Sequence, residues 1–491
     1  MTYHERVRWS EALPFEIFHS DLITNGVSWP SGSLSPFDEA LRTAWQSRLD
    51  AGLFRYQLRS SPLSRVLSPP HDVRFPFVAQ LNPERSSERR PPQRFASVQQ
   101  PFDQEAFHFG RIPCREVLFE LRLHGETENE EGGDGDYVVI NVSPLEFGHV
   151  LLLPQPGLLL PQALSVRAVR LALRTLLLSA HPGFRVGFNS LRAFASVNHL
   201  HLHAYYLEHR LPVEWTKLSV IPGLRAANPL RLALPPAMPI PSFVVLVDPE
   251  ESWALEKLTY IVCQLVQLMA QREIAHNVMF TRGEEPEQEE PEKEDLEKED
   301  LEKEDLEKED LEKEDLEKED LEKEEKNRFH FGTRGGTCSK GERDGQRGST
   351  DITKDWQHCK TIESSHERFE TRKSQIERKI KCHRSSNSSN TGEHVTERAT
   401  TGRCMVSMVR AFIWPRKSSP ETKNLGAFNV ALCELAGHLP VGSREHFDVL
   451  CWHDAATALK DQALSEQDFA VLEKDVVKLL NNCNSLVMTS E

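Results

Sequence analysis

The sequence predicts an α+β protein, an antiparallel sheet with flanking helices, interrupted by a long disordered insertion. Three observations carry that expectation. Short apolar runs bounded by turn residues recur between positions 75 and 248 and return after 404, the pattern of half-buried strands. Two longer stretches, 161–180 and 251–273, place their apolar residues at helical spacing. Between 284 and 404 the composition turns abruptly polar, while the 491-residue chain keeps roughly 370 residues outside it, enough for a large core.

Taken in order, residues 1–100 are rich in Pro, Arg and Ser and predict irregular structure with one or two strands and a helix near 36–53. LFELRL (118–123) and YVVINV (137–142) read as antiparallel strands joined by the polar loop 124–136. GHVLLLP (148–154) follows as a strand, then a helix that stops before His181-Pro182. FRVGFNS (184–190), HLHLHAYYL (199–207) and FVVLVD (243–248) continue the sheet, and IAHNVMFT (274–281) resumes it after the second helix. Beyond the polar stretch, MVRAFIWP (408–415) reads as a strand, GAFNVALCELAGHL (426–439) as strand or helix, and 464–482 as helical.

The net charge of −16 belongs to one segment. Residues 284–325 hold 26 acidic residues and 7 lysines and contain six EKEDL repeats, Glu292 to Leu321, so the remainder is close to neutral. Leucines five apart advance about 140° round a helix from one to the next, so no zipper stripe forms and a charged spacer is expected. Residues 326–404 are basic and poor in aliphatics, which predicts disorder. The domain layout is therefore 1–283 and 405–491 as two parts of one domain, with 284–325 and 326–404 inserted between them.

Nine cysteines without a C-x-x-C pair fit reduced thiols in a cytoplasmic protein better than a disulfide framework. The N-terminal MTYHERVRWSEALPF lacks a basic-then-apolar signal pattern, and the greasiest runs, 149–161 and 169–178, are cut by Pro or Arg, so no membrane span is expected. His358, Cys359, Cys382, His383, His394 and Cys404 follow no zinc-finger spacing, and the basic stretch lacks the interleaved aromatics of a nucleic-acid surface.

One motif carries chemistry: Asn198-His199-Leu200-His201-Leu202-His203. On a strand the three imidazoles share a face while the leucines pack behind. Such a row suits either a metal site or a nucleophilic imidazole, which attacks phosphorus when a hydrogen bond on its other nitrogen orients the ring.

The H-φ-H-φ-H pattern resembles the signature of the histidine triad superfamily, which includes galactose-1-phosphate uridylyltransferase. GFNSLRAFASVNHLHLHAYYLEHRLPVE (187–214), VINVSPLEFGHVLLLPQP (139–156) and AQLNPERSSERRPPQ (79–93) further resemble the animal GDP-D-glucose phosphorylase family. So do IAHNVMFTRG (274–283), WPRKSS (414–419) and GAFNVALCELAGHLPV (426–441). The resemblance implies a histidine-triad-like sheet, phosphorolysis of GDP-D-glucose by inorganic phosphate to GDP and glucose 1-phosphate, and no metal or other cofactor. It implies His201 as covalent nucleophile, with His199 and His203 as donors to the α-phosphate. By analogy, Asn189, Ser190, Ser196 and Asn198 are candidate phosphate contacts. The basic residues Arg85, Arg89, Arg90, Arg416 and Lys417 are candidates for the second or the incoming phosphate. Where the family commonly has a glycine pair, this chain has Arg192-Ala193, so Arg192 either crowds the loop or adds a phosphate contact. Plant relatives acting on GDP-L-galactose carry Gln at the third triad position, so His203 favours the animal type. The rivals are a nucleotide hydrolase on the same fold and a catalytically silent nucleotide-binding scaffold with the insertion as its partner-binding element.

Overall fold

The computed structural model describes residues 12–58, 63–71, 73–124, 135–225, 227–284, 404–419 and 428–487. They belong to one compact unit drawn from Met1–Gln288 and Gly402–Glu491. The EKEDL repeat and the basic stretch, expected as spacer and disorder, lie outside the described residues, as does the loop 125–134.

Eleven strands form the main sheet. In chain order they are β1 (Pro14–Ile17), β5 (Val117–Leu123), β6 (Asp136–Ile140), β7 (Val150–Pro154), β8 (Phe184–Asn189), β9 (Leu202–Tyr206), β10 (Ser219–Val220), β11 (Leu230–Ala233), β12 (Ser242–Val247), β13 (Ala275–Gly283) and β15 (Met408–Arg416). The spatial order is β1-β5-β6-β7-β9-β8-β13-β15-β12-β11-β10. Every neighbouring pair is antiparallel except β1 on β5. Gly283 of β13 faces Met408 of β15, so strands on either side of the polar segment in sequence are neighbours in the sheet. A pair of strands, β2 (Val27–Trp29) and β14 (Cys404–Val406), and a three-stranded sheet of β3 (Ser64–Leu67), β4 (Phe77–Leu81) and β16 (His438–Val441) stand beside it.

Alternation along the strands divides the core in two. On β15, Val409, Ala411 and Ile413 face one cluster and Phe412 and Trp414 the other. The first face is covered by α1 (Pro36–Asp50), α3 (Val166–Leu178), α4 (Ala254–Gln271) and α8 (Glu466–Val487). The second lies under the small sheet and the short helices α5 (Leu432–Leu435), α6 (Arg444–Val449) and α7 (Trp452–Lys460). Ser35 caps α1, accepting from Asp38 N at 3.2 Å, and Ser165 caps α3, accepting from Ala168 N at 3.2 Å, which is why α3 starts later than its apolar pattern. Among the described residues no helix is long and apolar enough to cross a membrane.

Two expectations change. The described residues among the first 100 hold four strands rather than one or two, together with a second short helix, α2 (Pro83–Glu88). The added strands are three to five residues long, too short for a period of two to register. The strand expected over 199–207 begins only at Leu202. The side chain of Gln162 takes the ladder's place before it: its Oε1 accepts from His201 N at 2.9 Å and its Nε2 donates to His201 O at 3.1 Å and Asn189 O at 2.9 Å.

Candidate active site

β9 carries the site because its two faces have different duties. Leu202, Ala204 and Tyr206 pack into the first core, so His203 and Tyr205 face the other way, where a cavity of about 310 Å³ opens. His203 lies opposite Gly187 on β8 and Leu151 on β7. Gly187 is glycine for space: a Cβ there would come 1.9 Å from Leu432 Cδ2, on the helix that forms the far wall.

The three histidines are not equivalent. His199 is buried outside the cavity lining, and both its ring nitrogens are engaged: Nδ1 accepts from Phe109 N at 3.0 Å and Nε2 donates to Pro156 O at 3.1 Å. It is thus turned away from the position of a phosphate donor expected of it. Its carbonyl is what reaches the site, accepting from His201 Nδ1 at 2.7 Å. A carbonyl only accepts, so Nδ1 carries the proton and the neutral ring of His201 presents a bare Nε2. Burial holds His201 down at about 4 and His199 at about 3, so both are neutral at physiological pH.

His203 is oriented from the other side. Leu145 N donates to His149 Nδ1 at 2.9 Å, which leaves the His149 proton on Nε2, 3.1 Å from His203 Nδ1. Asn141 Nδ2, 3.2 Å from His149 Nε2, brings a second donor to that nitrogen and makes no bond in this arrangement. His203 therefore accepts at Nδ1 and keeps its own proton on Nε2. Burial lowers both rings well below the ordinary imidazole value, with His203 adding to the effect on His149 and His201 to that on His203. His149, which the sequence marks only as a histidine beside a glycine before a strand, thus supports the third triad member.

The remaining expected residues separate in the same way. Asn189 and Ser196 line the cavity with His201 and His203. Asn189 Oδ1 accepts from Asn277 Nδ2 at 2.6 Å. Ser190 and Asn198 do not line it. Ser190 Oγ accepts from His276 N at 2.9 Å and donates to Leu191 O at 3.0 Å. Asn198 ties three loops together, accepting from Gln162 N at 2.9 Å and donating to Gln100 O and Pro101 O at 3.1 and 2.8 Å. Arg192 takes φ +62°, the left-handed region where the related glycine would be at ease, and its guanidinium bonds Phe95 O and Ala96 O rather than entering the cavity.

Four arginines also line the cavity: Arg55, Arg85, Arg89 and Arg90, three of them from α2 and the turn that follows it. Asn82 caps α2, accepting from Arg85 N at 3.1 Å, and Arg85 donates to Ser143 O. Burial, then the neighbouring Arg85, pushes the Arg89 guanidinium down; burial, then Arg55, does the same to Arg90. Desolvated like charges facing a cavity are stabilised by an incoming anion. Lys417 and Arg416 are elsewhere: Lys417 Nζ donates to Asp461 O at 3.1 Å, and Arg416 is buried against Asn277 Oδ1 and Gln462 Oε1 at 3.3 and 2.7 Å. Among the described residues no group of three or more His, Cys, Asp or Glu could hold a metal ion.

Sequence reasoning missed Gln162, whose amide holds His201, and Glu116 and Cys433, which line the cavity. Glu434, seen only as part of a family-like block, also lines it, accepting from Ala431 N at 2.9 Å and from Cys433 Sγ at 3.1 Å. None of these has a spacing that marks it.

Residues 36–205 match the family described as GDPGP1-like, N-terminal domain, a range that includes the triad, α2 and the arginine wall. The chain is 35% identical over 456 residues to GDP-D-glucose phosphorylase 1 of Bos taurus, covering 90% of this chain and 86% of the relative. It is 34% identical to that of Homo sapiens over 473 residues, 94% and 90% of the two chains. GDP-L-galactose phosphorylase 2 of Arabidopsis thaliana is 36% identical over 182 residues, 35% of this chain and 41% of the relative. Among solved structures, the yeast Ap4A phosphorylase Apa2 in complex with AMP aligns with 88% of this chain and 98% of its own at a TM-score of 0.43 and 12% identity. Shared sequence running the length of both chains at that level of identity is what common descent leaves, and the chain belongs to the GDP-D-glucose phosphorylase family.

Proposed function

We propose that the protein catalyses phosphorolysis of GDP-D-glucose by inorganic phosphate, giving GDP and glucose 1-phosphate through a guanylyl group carried on His201. The observation that carries this reading is the 2.7 Å bond from His201 Nδ1 to the His199 carbonyl, which leaves a neutral imidazole with its Nε2 lone pair available. In the first step that pair attacks the α-phosphorus. The P–O bond to glucose 1-phosphate breaks and its electron pair leaves with glucose 1-phosphate, which needs no proton. The Nδ1 proton stays on the ring, and the His199 carbonyl stabilises the positive charge that develops there. In the second step an oxygen of inorganic phosphate attacks the same phosphorus, the P–N bond breaks, and GDP leaves with His201 neutral again.

His203 supplies an Nε2–H to the nonbridging oxygens as charge grows on them. Asn189 and Ser196 are further contacts to that phosphate, and Arg85 and Arg89 hold the second or incoming phosphate, while Arg90, stacked on Phe107 beside Glu116, stands toward the apolar end. His199, Ser190 and Asn198 act through the frame rather than on substrate.

The test incubates the full chain with GDP-glucose, with and without inorganic phosphate and with EDTA present, and quantifies GDP, GMP and glucose 1-phosphate. Equal GDP and glucose 1-phosphate, dependent on phosphate, is the expected outcome. GMP formed without phosphate would make the protein a hydrolase, and no product would remove the reading.

A further inference from the structure

The cavity has two chemically different ends. At one, Phe107, Phe109, Ile112, Val139, Leu151 and Val197 present an apolar wall, and the Phe109 ring lies 4.9 Å from that of His201. This end therefore starts at the reacting histidine and has the flat aromatic lining that a heterocyclic base stacks on. At the other, Glu434 and Cys433 stand near Arg85, and Glu434 also near Arg89.

Two carboxylates line the cavity, Glu434 and Glu116, and they keep different company. Glu434 acts on Arg89, whereas Glu116 acts on Arg90, whose guanidinium stands 3.3 Å over the Phe107 ring. Glu116 ends the single 3-10 turn Cys114–Glu116 and passes directly into Val117, a member of the apolar cluster. It is half-buried and lines the cavity, next in sequence to that apolar cluster.

For a nucleotide whose α-phosphorus is at His201 and whose base enters the apolar end, Glu116 is the lining carboxylate that adjoins that end. Guanine offers two parallel donors on one edge, N1–H and the exocyclic N2–H₂. Adenine offers a bare N1 in the same place. A carboxylate accepts from both guanine donors at once and opposes the adenine lone pair.

We infer that the Glu116 carboxylate reads the N1–H and N2–H₂ edge of guanine and sets the base specificity of the site. This deepens the phosphorylase reading by naming what selects its nucleotide, and it rests on that reading for where the base lies.

The test compares the full chain with Glu116→Gln, which keeps the length of the side chain and removes the charge and one acceptor. Affinities for GDP, IDP and ADP are measured by calorimetry without phosphate, so they do not depend on turnover. The unaltered chain is expected to prefer GDP over IDP, which lacks the N2 amino group, by about tenfold. Its preference over ADP should be about 10² or more. In Glu116→Gln, GDP affinity is expected to fall about 10–100-fold while ADP affinity changes little, so both ratios collapse toward one. Equal loss for all three nucleotides would mean that Glu116 only holds Arg90 or the turn, and would overturn the inference. So would unchanged ratios, or an unaltered chain without preference for GDP. Guanine selection through Glu116 in a chain that does not phosphorolyse GDP-glucose would sink the phosphorylase reading and leave this one. Phosphorolysis with unchanged base ratios would do the reverse.

Discussion

The two walls that meet at His201 are built on opposite principles. From Ser190 to His199, the cavity-lining Ser196 apart, the chain forms a frame. Ser190, Asn198 and His199 place their polar groups on partners inside the protein, and the Gln162 amide closes the gap before β9. From Asn82 to Arg90 the chain does the reverse, gathering guanidinium groups against one another beside a cavity. The frame uses its hydrogen bonds to hold geometry, and the arginine wall leaves charge for something that is not protein. Buried polar groups satisfied at both ends are structure, while those with one end left to a cavity are candidates for chemistry.

The sharpest way to break the contrast is at the junction of the walls. His201→Asn removes the one imidazole with a bare nitrogen at the cavity, and turnover is expected to drop by about 10⁴-fold or more. GDP binding by calorimetry should survive within about tenfold, since the arginine wall is untouched. Substantial residual turnover would put the nucleophile elsewhere.

Next in size is the charged wall. Arg89→Met is expected to lower kcat/KM for phosphate by about 10–100-fold, as for loss of a charge-assisted contact to an anion. It should leave the melting temperature unchanged or raise it, because a desolvated charge beside Arg85 has gone. A variant that melts earlier would show that Arg89 belongs to the frame after all.

Gln162→Leu sharpens the comparison from the opposite wall. It leaves His201 N–H, His201 C=O and Asn189 C=O without their partner in a buried setting, a cost of about 2–4 kcal/mol in unfolding free energy. Activity per folded molecule should fall only about tenfold, because the group lost touches the nucleophile's backbone and not the substrate. Urea denaturation with parallel active-site titration separates the two effects.

Much of the fold was legible because it rests on period and turn chemistry. β5 to β9, β12, β13, β15, α3 and α4 all appear in the sequence as apolar runs of the right length with the right stops. The site was legible as one motif and not as an arrangement. H-x-H-x-H states that three rings share a face only if a strand runs through them. A single glutamine 39 residues away in sequence replaces the ladder at His201, and no local pattern signals that. His199 shows the same limit. Its ring reads as a donor to phosphate until the Phe109 amide and the Pro156 carbonyl are seen to hold it. Glu116 had no signal at all, since an isolated acid before a strand reads as solvated surface.

The frame also makes acid a graded probe. Burial depresses His201 and His276 to about 4 and His199 and His438 to about 3, against an ordinary 6.5. The folded pKa lies below the unfolded one in each case. The unfolded chain therefore takes up protons first as pH falls, and stability that is complete above 6.5 is lost as pH drops toward 4. Thermal melts should decline across that window. Single-turnover cleavage of GDP-glucose, which needs no phosphate, should hold its rate through pH 6 and fall about tenfold per unit below His201's value near 4, where the nucleophile is protonated. An acid limb centred near 6.5 would mean that His201 is solvated when it reacts.

The smallest effect belongs to Lys417 of the WPRKSS segment, set against its neighbour Arg416. Lys417 reaches the Asp461 carbonyl at 3.1 Å, in solvent and away from the cavity lining, so Lys417→Met is expected to change kcat/KM by no more than about twofold. Arg416, one residue earlier, points inward from β15. It binds Gln462 Oε1 at 2.7 Å, the Val430 carbonyl, and Asn277 Oδ1 at 3.3 Å, and Asn277 in turn donates to the cavity-lining Asn189. Arg416→Met should therefore destabilise by about 3 kcal/mol through the carbonyl and amides it abandons, and disturb the site only through Asn277. Steady-state kinetics and denaturation on the pair decide what holds this segment in place. A kinetic loss confined to Lys417→Met would return that lysine to the phosphate. A stability loss confined to Arg416→Met would make the segment an extension of the frame, its cation turned inward where those of the arginine wall line the cavity.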